Sequence, residues 1–185
     1  MINQTLHEYN RVINACKTIF IKKTRDYGTA WRILRLPSIT DQIFIKAQRI
    51  RSIQEKGVQK VDEDITSEFV GIINYCVIAL MQLKLQGESK LEIPAPEVAE
   101  MYDREIAENI ELLLNKNHDY GEAWRDMRIS SITDIILMKL YRTKQIEDNQ
   151  GQTLISEGVE ANYRDMINYA VFVLIKLNFA TDETH

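Results

Sequence analysis

Five cations recur at matching places in the two halves of this chain: Lys23, Arg32, Arg35, Lys46 and Arg49, then Lys116, Arg125, Arg128, Lys139 and Arg142. Guanidinium forks match phosphate oxygens two at a time and ammonium groups add point charge, so this set predicts a phosphate-binding site. Tyr27 and Trp31 recur beside them as Tyr120 and Trp124, and their faces are suited to contact a base by stacking. The retained acids are fewer: Asp26, Asp41 and Glu63, with Asp119, Asp134 and Glu157. The formal net charge is −4, yet what the chain repeats is net basic. That combination predicts a local anion site and argues against a general nucleic-acid surface. The competing explanation is a set of weak surface ion pairs inherited with the duplication.

The acids of the second half suggest a further chemistry. Glu157 is joined there by Glu160 and Asp165, which Thr66 and Gly71 replace in the first half. Carboxylates grouped in this way suit Mg²⁺, which takes oxygen ligands and sits with substrate phosphates. Glu157, Glu160 and Asp165 are therefore the candidate metal ligands and, through a metal-activated water, the candidate catalytic residues. The second half is the expected working half. Glu160 and Arg164 also have the spacing of an ordinary i,i+4 pair. Lys23 continues the apolar stripe Tyr9, Ile13, Cys16, Phe20, so it either faces a ligand or serves the helix end. Asn74 and Asn168 interrupt the most apolar segments; a buried amide there fixes register or reaches a pocket. His7, His118 and His185 are unmatched between the halves, so no retained histidine is catalytic. Cys16 and Cys76 are unmatched too, which argues against a disulfide or zinc framework.

These residues need elements to position them. Lys23–Arg49 returns without a gap as Lys116–Arg142, with more than half of the positions identical. A repeat of this kind is one supersecondary unit used twice. Few glycines and prolines, and apolar spacings of three and four, predict an all-α protein. Each copy reads as three helices. The first stops at Gly28 or Gly121. The second is capped by Ser38-Ile-Thr-Asp41 or Ser131-Ile-Thr-Asp134 and runs to about Ile53 or Ile146. The third has its heart at Ile72–Leu83 or Met166–Leu177 and should be the most buried. The expected organisation is repeat 1 over 1–86, a linker over 87–97 containing Pro94 and Pro96, and repeat 2 over 98–181. The two would pack as one compact helical bundle with an approximate internal twofold axis. No 18-residue apolar run argues for a membrane span, and the amphipathic N-terminus points to the cytoplasm.

The doubled Lys-x-x-Asp-Tyr-Gly-x-Ala-Trp-Arg, with Ser-x-Thr-Asp, Lys-x-x-Arg and Ile-Asn-Tyr after it, resembles the family called nucleotide modification associated domain 1, in a tandem form. A more distant similarity is to the all-α nucleotide pyrophosphatases of the MazG and dimeric dUTPase type, which hold Mg²⁺ with Glu-x-x-Glu and Glu-x-x-Asp. Glu157-Gly-Val-Glu160 fits the first pattern and Asp165-Met-Ile-Asn168 loosely fits the second. The resemblance implies a nucleotide or other phosphate-bearing small molecule as partner, with a Mg²⁺-dependent pyrophosphatase as the enzymatic form. The rival expectation is a non-catalytic helical interaction or scaffold module. Homo-oligomerisation stays open.

Overall fold

The computed structural model describes residues 2–57 and 61–181; the side chains of 61–64, 119 and 120 fall outside that description, and with them Glu63, Asp119 and Tyr120 as candidate side chains. The first copy supplies α1 (Ile2–Tyr27), a 3-10 turn at Ala30–Ile33, α2 (Leu36–Lys56) and α3 (Val61–Lys84). The second supplies α4 (Ala95–Tyr120), a 3-10 turn at Ala123–Asp126, α5 (Ile129–Asp148) and α6 (Val159–Lys176). The all-α reading and its two three-helix units hold, and no strand occurs among the described residues.

The stripe Tyr9, Ile13, Cys16, Phe20 is buried along α1. Gly28 ends that helix at φ 62° and donates its N–H to Thr24 O at 2.8 Å. A Cβ at the same position would lie 2.5 Å from Glu92 Oε2 of the inter-copy segment, so a side chain there would displace that carboxylate. The expected capping boxes are not used. The residues that cap α2 and α5 are Arg35 and Arg128, in extended backbone, without side-chain cap bonds. Pro37, in the first turn of α2, moves the helix start ahead of Ser38, because its fixed φ and missing N–H suit that turn. Asp41 is consequently released to an exposed ion pair with Lys144 of α5, at 3.1 Å. Pro96 likewise lies in the first turn of α4, so the segment between helices covers 85–94.

Each helix packs against its counterpart: α1 on α4, α2 on α5, and α3 on α6 at the centre. One apolar cluster runs through both copies, with Ile72, Ile73, Val77, Met166, Ile167 and Val171 fully buried. The segment Ile65–Lys84 is long and apolar enough to cross a membrane by length and composition, but most of it is buried inside the bundle.

Crossed hydrogen bonds tie the copies together. Tyr9 Oη of α1 donates to Asn168 Oδ1 of α6 at 2.7 Å, and Tyr102 Oη of α4 donates to Asn74 Oδ1 of α3 at 2.8 Å. Asn74 also donates to Cys16 O at 3.1 Å. The retained asparagines therefore fix register across the internal axis. Burial pushes both tyrosine hydroxyls far above their ordinary range, so they stay protonated donors.

Candidate functional site

In the first copy, α1, the 3-10 turn, α2 and α3 enclose a cleft of about 560 Å³. Lys23 and Tyr27 enter from α1, Trp31 from the turn, Lys46 from α2, and Gly71 and Tyr75 from α3. Lys23 makes no ion pair among the described residues. Lys46 lies along α3, with Nζ 5.7 Å from the Tyr75 ring centroid and 3.7 Å from Glu68 Oε2. Gly71 makes this path possible: a Cβ there would sit 2.8 Å from Lys46 Cδ and Cε. Glu68 is otherwise held by Arg49 at 2.7 Å.

The same place in the second copy is filled by the chain itself. Asp165, the counterpart of Gly71, accepts from Lys116 at 2.6 Å through one oxygen and from Lys139 at 2.9 Å through the other. Phe172, the counterpart of Ile78, stacks on Trp124 with ring centroids 4.3 Å apart and planes 5° from parallel. Trp124 is buried in consequence, whereas Trp31 remains half-buried at the wall of its cleft. Both indole N–H groups are buried without an acceptor among the described residues, so what Trp31 offers its cleft is a face and not a donor.

The three carboxylates expected to hold Mg²⁺ are not brought together. Asp165 is committed to its two lysines. Glu160 is 2.9 Å from Arg164 Nη2 as the i,i+4 pair, and Glu157 lies in the loop before α6, at a groove that Arg142 also lines. A different acidic set, Glu105 and Glu108 of α4 with Glu160, does converge, but on Arg164 Nη2 at 2.8, 2.6 and 2.9 Å. Lys84 adds a second cation, 2.6 Å from Glu105 and 2.7 Å from Glu108. Burial draws the Arg164 pKa down, but bonds to Glu160 and Glu105 more than offset it and hold the guanidinium above its ordinary value. The Lys84 hydrogen bond holds Glu108 below the usual carboxylate range. The protein's own cations occupy the place a metal would need. No group of three or more metal-ligating side chains fit to hold an ion occurs among the described residues.

The retained arginines mostly serve the fold. Arg32 binds Lys90 O at 3.0 Å, Glu88 O at 2.7 Å and the Gln82 side-chain oxygen, clasping the segment between the copies. Arg125 lies over Trp124, 4.4 Å from its ring centroid, and binds Thr5, Glu8 and Glu122. Arg35 and Arg128 are exposed at the helix starts, outside the cleft. Arg142 borders a separate groove under the loop before α6. Of the ten candidate cations, Lys23 and Lys46 alone line the cleft. The residues missed in the sequence are Gly71, Tyr75 and Ile78, together with Glu105 and Glu108. Their signal was the difference between copies: Asp165 for Gly71 and Phe172 for Ile78.

Neither a curated protein nor a solved structure matches this chain. Residues 23–83 and residues 116–177 each match the protein family described as Nucleotide modification associated domain 1. Those segments span the 3-10 turn, the lysines and the third-helix Asn-Tyr of each copy, well over half of the chain. The protein belongs to the Nucleotide modification associated domain 1 family and carries that domain twice.

Proposed function

We propose that the first copy is a nucleotide-binding module and that the second is its closed structural counterpart. The observation that carries the reading is the exchange of Asp165 for Gly71: one copy neutralises its lysine pair internally, and the other leaves Lys23 and Lys46 at a cleft walled by aromatic rings. Two ammonium groups attract a phosphate, and Trp31, Tyr75 and Tyr27 offer ring surface for a base. The cleft volume is that of a small-molecule site. This reverses the expected working half. It also favours binding over hydrolysis, because the carboxylates needed for metal-assisted attack are each held by a lysine or arginine or stand apart.

The scaffold alternative draws support from Arg32, Arg125, Asn74 and Asn168, whose retained side chains are all engaged in holding the fold. It gives no account of Lys23 or of the glycine under Lys46. The test is melting of the full chain with and without nucleoside phosphates, since a ligand that favours the folded state raises Tm. Lys46→Met should remove the shift, while Lys139→Met should leave it in place. No shift from any nucleotide would sink the proposal.

A further inference from the structure

We infer that the first-copy cleft takes a nucleoside diphosphate held by its terminal phosphate, without a metal ion; this rests on reading the cleft as a nucleotide site. The second copy carries the matching chemistry on its own chain. One carboxylate, that of Asp165, satisfies both lysines, and one flat ring, that of Phe172, covers the tryptophan. On α3 both groups are missing, replaced by Gly71 and Ile78, while Lys23, Lys46 and Trp31 remain. A ligand that restores what the second copy supplies internally needs one anionic group and one ring.

The helix sets the distance between them. Asp165 and Phe172 stand seven residues apart on α6, a rise of about 10 Å at 1.5 Å per residue. Their Cβ atoms tilt alike toward the helix N-terminus, so the rise carries over to the side chains. A monophosphate attached directly to the ribose falls short of that span, and a second phosphate in series extends the reach. Among the described residues the carboxylate that meets Lys46 is Glu68, already held by Arg49 at 2.7 Å. The cations that line the cleft, Lys23 and Lys46, would neutralise the terminal phosphate.

Calorimetric titration of the full chain with the mono-, di- and triphosphates of the four ribonucleosides, in EDTA, tests this. For at least one base, the diphosphate should bind at least tenfold more tightly than the monophosphate and no more weakly than the triphosphate. Added Mg²⁺ should not strengthen binding. Gly71→Asp and Ile78→Phe, which transplant the second copy's residues, should each weaken diphosphate binding at least tenfold with cooperative melting retained. Lys46→Met, which leaves the helix backbone untouched, should give the same loss should either transplant fail to fold. Equal binding of monophosphate, tighter binding of triphosphate, a need for Mg²⁺, or an Ile78→Phe variant that binds normally would overturn the inference and leave nucleotide binding standing. Absence of binding by every mono-, di- and triphosphate would remove both.

Discussion

The two copies share a motif and differ in what satisfies it. In the second, the charges at the matching place meet internal partners: Asp165 for Lys116 and Lys139, and Glu105, Glu108 and Glu160 for Arg164. The first copy puts Gly71, Val12, Ala15, Thr66 and Val70 at the corresponding places, so its lysine pair faces a cleft. Retention of a residue in a duplicated chain therefore does not fix its role. The same lysine is a structural partner on one side, and on the other it makes no ion pair among the described residues. A single substitution on the third helix separates the two states.

Exchanging residues between the copies tests that comparison most directly. Asp165→Gly with Phe172→Ile should give the second copy what the first has: two lysines without a carboxylate between them and an uncovered tryptophan. Calorimetry with a nucleoside diphosphate should then show two sites per chain where the parent shows one, the new site within about tenfold of the old, a difference of roughly 1.4 kcal/mol. Stoichiometry unchanged at one would mean that Asp165 and Phe172 do not close the site.

The next largest effect concerns stability. Arg164 and Glu105 have side chains only 9% and 2% exposed. Removing one member of a buried ion pair costs about 3–5 kcal/mol because the other charge is left behind. Arg164→Val should fall at the low end, near 3 kcal/mol, since Lys84 still holds Glu105 at 2.6 Å. Adding Glu105→Val reproduces the apolar pair Val12 and Val70 of the first copy and should recover most of the loss in urea melts. A double variant as unstable as the single one would show that the copies are not interchangeable at this position.

The crossed tyrosine bonds sharpen the comparison further. Asn168 Oδ1 accepts from Tyr9 and also from Asn109 at 3.3 Å, whereas Asn74 Oδ1 accepts from Tyr102. A buried acceptor left without a donor costs about 1–3 kcal/mol. Tyr102→Phe should therefore destabilise by that amount, and Tyr9→Phe by less, in denaturant titrations read side by side. Equal losses would deny Asn109 its role as a second donor.

Helices and their order were legible in the sequence because apolar spacing and the repeat both report backbone geometry. The third helix stood out because its apolar residues surround it, and the structure places it at the centre. The site was legible only in part. Lys23, Lys46, Tyr27 and Trp31 do line one cleft, but equal weight fell on arginines whose partners, such as the Lys90 and Glu88 carbonyls, belong to the irregular segment between copies. No spacing rule reports such contacts. The grouping of Glu157, Glu160 and Asp165 failed for a related reason. Sequence proximity on one helix does not show which cation each carboxylate meets from the helix opposite.

The smallest effect lies where α2 meets α5. Gln54 of the first copy donates to Thr133 Oγ1 at 3.1 Å, and its counterpart Glu147 faces Thr40, whose hydroxyl is bonded to Tyr163 at 2.6 Å. Burial raises the Glu147 pKa above the ordinary carboxylate value; the Thr40 hydroxyl opposes the shift, and the charge of Asp41 adds to it. An acid whose pKa is higher in the folded state binds its proton more tightly there. Its ionisation therefore costs the fold nothing below the unfolded pKa and destabilises it as pH rises through the folded value. Glu147→Gln, which installs the first copy's residue, should raise Tm at neutral pH by a few degrees at most, the size of a change under about 1 kcal/mol in a domain of this length. The gain should vanish in melts at a pH below the ordinary glutamate range, where both variants are neutral at this position. A gain that persists there would come from packing and not from the charge.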